Sequence, residues 1–392
     1  MRQVYLDYSA TTPVKDEVLQ EMIPYFTENY GNPSSLYSGG LNSKAAIDKA
    51  RKQLADLINA DPSEIFFTGS GTEADNWALE GMADAMRKKG KGNHIITTKI
   101  EHHAILHTCE YLAAHGFEVT YLGVDSDGRV NPKDLEDAIT DKTILISIML
   151  VNNEVGTVQD IREMVGIAKR YKIPFHTDGV QALGNVPIDV KALGVDFLSM
   201  SAHKIYGPKG MGALYIRKGM RPTNFIHGGA QEMGRRAGTE NLPGIVGFGK
   251  AAEIAKRDFD KHVKHSSEVR DYLLERIKDE IPDVEINGTM KQRHPGNLNV
   301  TFDFIEGESL LILLDMKGIS VSTGSACSSK SLKPSHVLDA MGVPWEKIHG
   351  TVRMTVGDFT SKEDVDYVVD ELKNIVIRLR EISPINEEKG WN

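Results

Sequence analysis

The sequence predicts an α/β protein that has a large domain, built on a mostly parallel sheet flanked by helices, and a smaller α+β domain. Apolar runs typical of buried strands alternate with helical patterns between residues 65 and 171. This alternation stops after residue 244, where a long helical stretch begins. A chain of 392 residues with 40% hydrophobic content is long enough for two ordinary domains.

The large domain is predicted from pairs of strands and helices taken in order. The predicted strands are 65–68, 94–98, 118–122, 143–149, 173–175 and 197–200, and the predicted helices are 72–89, 103–115, 132–139 and 161–171. Ligands of such sheets bind beyond the carboxyl ends of the strands. We therefore expect the functional residues in the loops that follow these strands.

The smaller domain is predicted from the pattern of the C-terminal third. One long helix, residues 245–281, is expected to connect the two domains. Beyond it, the predicted strands are 297–302, 320–323 and 352–355, and the predicted closing helix is 362–380. We expect residues 15–257 to form the large domain and residues 1–14 and 258–392 to form the small one.

Composition excludes several classes of function. The net charge of −9 argues against a nucleic-acid-binding surface, which requires a basic face. No apolar stretch approaches the length that spans a bilayer, and the first residues show no secretory signal. Two cysteines are too few for a disulfide framework. We therefore expect a cytoplasmic protein that binds neither nucleic acid nor membrane.

The strongest chemical signal is the pair Asp178 and Lys204. Asp178 follows the apolar run 173–175, and Lys204 follows the run 197–200 and precedes a Gly/Pro-rich turn. A lysine beyond one strand end and a carboxylate beyond the next suit pyridoxal phosphate. The amine forms a Schiff base, and the carboxylate keeps the pyridine nitrogen protonated. Gln181 is within reach of the same ring. A surface lysine and a helix-capping aspartate are the alternative for either residue alone.

Residues 67–76, with the sequence FTGSGTEADN, join a strand to a helix start. Free backbone N–H groups and the helix dipole face an anion at such a junction, so a phosphate monoester fits there with Gly71 and Thr72 as donors. A plain capping box is the alternative, because Ser or Thr followed by Glu also caps helices.

Two histidines, His102 and His103, open the next predicted helix. Metal binding is one interpretation, but we find no Cys or further His at ligand spacing, and a loop histidine is often merely solvated. One histidine over the cofactor ring would stack on it and move protons. We favour His103 because it is closer to the helix start.

Two residues are candidates for holding a substrate carboxylate. Asn153 follows the strand 143–149, where an amide would reach the cofactor's phenolic oxygen and the substrate, although Asn is also common in turns. Arg353 falls within the predicted strand 352–355, where an unpaired charge would be costly. Bidentate capture of a carboxylate is its best explanation.

The two cysteines have different surroundings. Cys109 lies among Ile105, Leu106 and Leu112 at helical spacing, as expected of a small buried hydrophobe. Cys327 lies in the Ser/Gly-rich sequence SVSTGSACSSKSLKP, residues 320–334, where nothing nearby would bury it. A thiol on a polar loop is a candidate nucleophile.

The chain resembles cysteine desulfurases of the NifS/IscS type, within the class V aminotransferase family of fold-type I pyridoxal phosphate enzymes. The resemblance runs from residue 5 to about residue 355. It rests on the motifs YLDYSATT, GNPSS, GSGTEADN, EHHA, NNEVG, HTDGVQ, SAHKIYGPKG, GGAQEMGRRAGTEN and GSACSS, which occur in the family's order.

The resemblance implies a role for each matching residue. Lys204 would bind the cofactor covalently, Asp178 would pair with the pyridinium, His103 would stack on the ring and Gln181 would contact the phenolic oxygen. The implied phosphate ligands are Gly71, Thr72, Ser201, His203 and, from the neighbouring subunit of a homodimer, Thr239. Asn153 and Arg353 would hold the substrate carboxylate, and Cys327 would take the sulfur. No resident metal is implied, although Cys327 would be able to ligate an iron–sulfur cluster transiently.

The implied reaction converts L-cysteine to L-alanine and a persulfide on Cys327, in the small domain. The loop resembles the branch of the family that passes sulfur to acceptor proteins for iron–sulfur cluster or thio-cofactor synthesis. Selenocysteine lyase and cysteine β-lyase are alternatives within the superfamily. A sulfur-relay protein without catalysis is the alternative from another class, and an intact Lys204, Asp178 and His103 argue against it.

Overall fold

The computed structural model describes residues 2–323 and 334–383. The described strands are β1 Val4–Tyr5, β2 Ile65–Thr68, β3 His94–Thr98, β4 Glu118–Leu122, β5 Thr143–Ser147, β6 Phe175–Asp178, β7 Phe197–Ser201, β8 Gly212–Ile216, β9 Val284–Ile286, β10 Asn297–Phe302, β11 Ile319–Ser320 and β12 Thr351–Thr355.

The helices alternate with these strands over most of the chain. They are α1 Asp16–Met22, α2 Pro24–Thr27, α3 Ser38–Ile58, α4 Gly71–Lys88, α5 His103–Ala114, α6 Pro132–Ala138, α7 Ile161–Arg170, α8 Val190–Leu193, α9 Gln231–Gly234, α10 Leu242–Arg257, α11 Phe259–Glu280, α12 Gly307–Asp315, α13 His336–Ala340, α14 Trp345–His349 and α15 Lys362–Ile382. Short 3₁₀ turns occur at Pro62–Glu64 and Ala202–Lys204. Among the described residues, no helix is both long and apolar enough to cross a bilayer.

A seven-stranded sheet forms the centre of the large unit, in the order β2-β8-β7-β6-β5-β3-β4. Strand β8 runs antiparallel to both of its neighbours, β2 and β7, and the other pairs are parallel. The predicted α/β class with a mostly parallel sheet is confirmed. Strand β8 was not predicted, and it supplies the one reversed direction in this sheet.

The helices cover this sheet because each has one apolar face. Helix α7 shows how the sequence defines such an element. The side chain of Asp160 accepts a hydrogen bond from the Glu163 N–H at its start, and Lys169 and Arg170 complement the dipole at its end. Its buried residues, which recur at helical spacing, are Ile161, Met164, Val165, Ile167 and Ala168.

The predicted connecting helix 245–281 is wrong as a single element. Helix α10 ends at Arg257 and α11 begins at Phe259, with Asp258 between them at φ −103° and ψ 13°. Aspartate competes for backbone hydrogen bonds and favours helix ends. Asp258 also pairs with Arg257 at 2.7 Å, which stabilises the break. The helical pattern therefore continues through a bend that periodicity does not reveal.

A second sheet, in the order β12-β10-β9, is antiparallel and packs against α11 and α15. The first strand of the chain, β1, pairs in parallel with β11. The predicted strand 320–323 is shorter in the structure, where β11 ends at Ser320 and Ser322 forms an isolated bridge with Arg353. The second unit therefore places Arg353 beside the loops that follow the strands of the large sheet.

Candidate active site

One cavity of about 480 Å³ lies where the carboxyl ends of the parallel strands meet the second sheet. Its volume is typical of a site for a cofactor and a small substrate. The residues predicted as site residues that line it are Gly71, Thr72, His103, Asn153, Asp178, Gln181, Ser201, His203, Lys204 and Arg353. Ten residues from separate parts of the chain therefore meet at one place, as the sheet topology predicts.

Asp178 and Lys204 lie at the ends of neighbouring strands. Asp178 is the last residue of β6, and its Oδ1 accepts a hydrogen bond from the Val180 N–H at 2.9 Å. Burial raises the pKa of Asp178 to about 6, against the opposing charge of Lys204. Lys204 ends the 3₁₀ turn after β7, and its Nζ donates to the carbonyl groups of Ser9 and Ala10.

The start of α4 combines a cap with a close approach. Ser70 Oγ accepts a hydrogen bond from the Glu73 N–H at 3.0 Å, while the Glu73 carboxylate accepts from the Gly69 N–H at 2.8 Å. A Cβ on Gly71 would lie 2.8 Å from a methyl group of Val180, so glycine is required here. The capping interpretation is therefore correct for Ser70 and Glu73, and Gly71 still leaves the helix start open to the cavity.

The two adjacent histidines differ in their surroundings. His102 caps α5, because its Nδ1 accepts a hydrogen bond from the Ala104 N–H at 3.1 Å. Burial and then the charge of Lys204 lower the pKa of His102 to about 4. The pKa of His103 is lowered by burial and then by His336 and His107. Both histidines line the cavity, and the charge of Lys204 acts on His102.

His107 and His336 were missed by the sequence analysis. The ring of His103 stacks on that of His107 at 5.0 Å and lies 4.9 Å from that of His336. The expectation that no further histidine lies at ligand spacing was wrong, since His107 follows His103 by one helical turn. In the described part of the chain, however, no three His, Cys, Asp or Glu side chains are grouped as metal ligands.

Arg353 already has an acidic partner, which corrects the premise that its charge is unpaired. Its Nη2 lies 2.7 Å from Asp7 Oδ1, and its Nη1 donates to the Asn153 carbonyl at 2.9 Å. Only 3% of the arginine side chain is exposed. Asp7 lies 346 positions away in sequence, so no local pattern would have indicated this pair. Arg353 still borders the cavity beside Asn153.

The two asparagines of the NNEVG motif divide two roles between them. Asn152 makes the turn, because its Oδ1 accepts hydrogen bonds from the N–H groups of Glu154 and Val155. Asn153 instead lines the cavity. Gln181 lines it too, and its Nε2 donates to the Ser9 carbonyl at 2.9 Å.

One predicted site residue, Thr239, does not line this cavity, and another, Cys327, lies outside the described residues. Thr239 lines a separate surface pocket together with Tyr25, Tyr30 and Asn32. Cys327 lies outside the described residues, which stop at Thr323 and resume at Pro334. The other cysteine, Cys109, is fully buried, and burial raises the pKa of its thiol to about 12.

The residues at the cavity fit pyridoxal phosphate. Lys204 supplies an amine and Asp178 a buried carboxyl group, both at strand ends. The glycine at the start of α4 leaves room for a phosphate group at a helix N-terminus. Ser201 and His203 also line this cavity, and both side chains are able to donate hydrogen bonds. An amine, an acid and an anion site in one cavity are the three features that this cofactor requires.

Comparison with known proteins agrees with this geometry. The family model described as Aminotransferase class-V matches residues 4–368. The chain is 56% identical over 388 residues to a protein named cysteine desulfurase IscS from Methanosarcina thermophila, covering 99% of this chain and 95% of that protein. It is 54% identical over 389 residues to a protein of the same name from Clostridium botulinum, covering 99% of this chain and 98% of the relative.

Solved structures give the same result. A structure titled "NifS-like protein" superposes with a TM-score of 0.91 at 40% identity. The match covers 96% of this chain and 100% of the other. A structure titled "SspA in complex with cysteine" superposes with a TM-score of 0.82 at 36% identity, over 92% of this chain and 100% of the other.

Proposed function

Because the chain belongs to the class-V aminotransferase family and is a pyridoxal-phosphate-dependent cysteine desulfurase, we propose that the cavity around Lys204 and Asp178 is its active site. The observation that carries this assignment is the convergence of a lysine, a buried carboxyl group and a glycine-led helix start in one cavity. We assign the cofactor to residues 15–257, as a large domain. Residues 1–14 and 258–392 then form the small domain that carries Cys327.

In this proposal Lys204 holds the cofactor covalently, Asp178 pairs with the pyridine nitrogen and Gln181 contacts the phenolic oxygen. The phosphate ligands within one subunit are Gly71, Thr72, Ser201 and His203. When bound, pyridoxal phosphate supplies an electron sink that stabilises the carbanion formed as the substrate loses its α-proton. Asp178 maintains that sink, because a carboxylate beside the ring nitrogen keeps it protonated.

The sulfur step is assigned to Cys327. Its thiolate attacks the sulfur of L-cysteine, so that an S–S bond forms and the substrate C–S bond breaks. The electron pair of the broken bond stays with the carbon skeleton, which is protonated and leaves as alanine. Cys109 is unsuited to this role, because it is fully buried and its thiol resists ionisation.

The proton-transfer role belongs to one of two neighbouring histidines. The sequence favours His103, but burial and the proximity of the Lys204 charge favour His102. We expect His102→Ala to lower kcat by about 10²–10⁴-fold, as loss of a general acid–base does. We expect His103→Ala to lower kcat by less than about tenfold, because its ring packs on His107 and His336.

Steady-state kinetics of the two purified variants, each loaded with cofactor, separate the assignments. The reverse order of effects would return the role to His103 and contradict the argument from burial and charge.

Arg353 and Asn153 are assigned to the substrate carboxylate. Binding of this kind acts equally on the substrate and on the transition state, so its loss raises KM with little change in kcat. Truncating one partner of a buried charged pair costs about 2–5 kcal/mol, so we expect Arg353→Ala to raise KM about 30-fold or more. Arg353→Lys should recover only part of the loss, because it lacks the guanidinium fork.

Asp7 provides the control for this measurement. Since Arg353 pairs with Asp7, its loss also leaves a carboxylate without that partner. The Asp7→Asn variant removes the acid and keeps the guanidinium, and we expect its KM to stay within about threefold of the parent. An unchanged KM in Arg353→Ala would mean that Arg353 has a structural role, through contacts such as its pair with Asp7, and does not hold the substrate carboxylate.

The products of the reaction test the proposed function. Purified protein incubated with L-cysteine should form alanine and protein-bound persulfide. Pyruvate and ammonia would indicate a β-lyase instead, and turnover of selenocysteine alone would indicate a lyase specific for selenium. A protein that shows no cofactor absorbance would fit a sulfur relay without catalysis.

We also propose that the enzyme is a homodimer in which Thr239 completes the phosphate site of the neighbouring subunit. Thr239 lines a pocket with Tyr30, and Phe26, Leu36 and Leu41, which flank Tyr30 in sequence, are exposed. Leu36 is 91% exposed, and large apolar side chains grouped on a surface commonly mark an interface. Sedimentation as a monomer at micromolar concentration would contradict this.

The likeness to proteins named cysteine desulfurase IscS supports a role in iron–sulfur cluster or thio-cofactor synthesis. The persulfide of Cys327 would then pass to an acceptor protein, such as an iron–sulfur scaffold or another sulfurtransferase. We assign the protein to the cytoplasm, where a catalytic thiol stays reduced. Transfer of labelled sulfur to a purified scaffold protein measures this step, and transfer to none of the candidate acceptors would contradict it.

A further inference from the structure

Asp75 is a buried carboxyl group on the wall of the cavity that no step above uses. Asp75 lies one turn into α4, beyond Gly71 and Thr72, and only 1% of its surface is exposed. Asp75 and Asp178 line the same cavity, and a negative charge on Asp178 disfavours one on Asp75. The site must therefore hold two neighbouring carboxyl groups, of which the cofactor requires one to be ionised.

The hydrogen bonds around Asp75 connect it to strands β5, β6 and β7. Its carboxyl group hydrogen-bonds the side chain of Ser199, whose Oγ lies 3.0 Å from His176 Nε2. His176 Nδ1 lies 2.8 Å from Ser147 Oγ. His176 and Asp178 are two residues apart on β6 and point to the same face of the sheet. His176, in the middle of this chain of side chains, is therefore two residues from Asp178, the proposed partner of the cofactor.

No positive charge in this chain of side chains compensates a negative charge on Asp75. His176 is fully buried, and burial lowers its pKa to about 3, so its ring is neutral. Asp75 Oδ1 lies 3.6 Å from His176 Nε2, beyond hydrogen-bond distance, and accepts no hydrogen bond from the residues that the structure describes. An ionised oxygen in that position is far more costly than the carbonyl oxygen of a neutral acid.

The acidic groups near Asp75 also disfavour a negative charge on it, and the positive charge of Lys204 acts on Asp178. Burial, then Asp178, and finally Glu101 raise the pKa of Asp75 well above its usual range, and only the Ser199 hydrogen bond opposes them. Burial raises the pKa of Glu101 itself to about 8. Burial raises the pKa of Asp178 only to about 6, because the hydrogen bond from the Val180 N–H and the positive charge of Lys204 oppose the rise. Of the two neighbouring acids, Asp178 is therefore the one that ionises.

We propose that Asp75 is a positioning residue that remains protonated in the working enzyme, donates a hydrogen bond to Ser199 and so leaves Asp178 as the ionised partner of the cofactor. The Ser199 hydroxyl then donates to His176 Nε2, and His176 Nδ1–H donates to Ser147. In this arrangement the donors of Asp75, Ser199 and His176 each have an acceptor, and the orientation of these three hydrogen bonds follows from the proton on Asp75. The inference rests on the proposed cofactor site at Asp178.

Infrared spectroscopy tests the proton directly. The carbonyl stretch of a protonated carboxyl group lies apart from that of a carboxylate and shifts in D₂O. We expect Asp75→Asn to lose one such band at neutral pH, with or without the cofactor. Glu101→Gln serves as the control and should remove a different band. Loss of no band in Asp75→Asn would show that Asp75 is ionised and overturn the proposal.

Absorbance of the bound cofactor gives a second, independent result. If Asp75 is neutral, Asp75→Asn should leave the pH of the cofactor's absorbance transition unchanged. If Asp75 is ionised, removing its negative charge should lower that pH by about one unit or more, because the protonated cofactor loses a favourable partner. Such a shift would contradict the proposal.

Ser199→Ala keeps the inference testable if Asp75→Asn does not fold. With its acceptor removed, the Asp75 carboxyl band should shift in frequency but persist, whereas an ionised Asp75 would give no band to shift. Failure of the proposed function would look different: the parent protein would then show no cofactor absorbance. A parent with normal cofactor absorbance and no Asp75 band would sink this inference alone.

Discussion

Lys204→Ala is expected to abolish turnover of L-cysteine. The lysine is the only group in the proposed site assigned to hold the cofactor covalently, and its Nζ lies in the cavity near the carbonyl groups of Ser9 and Ala10. Loss of a covalent catalytic group typically lowers kcat by about 10³-fold or more. The phosphate contacts of Gly71 and Thr72 remain, so the variant should still bind some pyridoxal phosphate.

The measurement combines product formation with absorbance. The parent protein should show the absorbance of a cofactor joined to lysine, and borohydride reduction should fix the cofactor on the peptide that contains residue 204. The variant should show the absorbance of free pyridoxal phosphate. Lys218→Ala, at an exposed lysine after β8, is the matched control and should behave as the parent does. Normal turnover by Lys204→Ala would refute the lysine assignment.

Cys327→Ser is expected to separate cofactor chemistry from sulfur transfer. A hydroxyl is a much poorer nucleophile toward sulfur than a thiolate, so the variant should accumulate no protein persulfide and its turnover should fall by about 10²-fold or more. It should still bind the cofactor, and adding L-cysteine should still change the cofactor's absorbance. Sulfur transfer would thus be assigned to Cys327, and the reaction of L-cysteine with the cofactor would be assigned to other residues.

Cys109→Ser is the internal control, since the chain has two cysteines. Cys109 is fully buried on α5 among apolar side chains, and its replacement should leave persulfide formation intact while costing some stability. If the persulfide appeared on Cys109, or if Cys327→Ser still formed it at the parental rate, the assignment of the sulfur step would be wrong.

The fold and the centre of the site were predictable because they depend on local patterns. Strands β6 and β7 are short buried runs, and parallel neighbours bring their carboxyl ends together, so Asp178 and Lys204 were predicted to meet. The reversed direction of β8 was not predictable in the same way. Its sequence, GALYI, is that of a buried strand in either orientation, and direction depends on the whole connection.

The remaining errors come from contacts that sequence does not record. Arg353 was read as unpaired because Asp7, its partner, lies at the other end of the chain. The choice between His102 and His103 depends on which ring turns inward at the start of α5, and a shift of one residue rotates a side chain by about 100°. The break at Asp258 depends on the backbone conformation of one residue, which a helical pattern alone does not determine.

The most direct test of the account is a single turnover with L-cysteine labelled with ³⁵S, followed by peptide mapping without reductant. If Cys327 accepts the sulfur, one label should be bound for each alanine formed, all of it should lie on the peptide that contains Cys327, and dithiothreitol should release it. Alanine formed without bound label, or label found on the peptide that contains Cys109, would contradict the claim that Cys327 accepts the sulfur at this site.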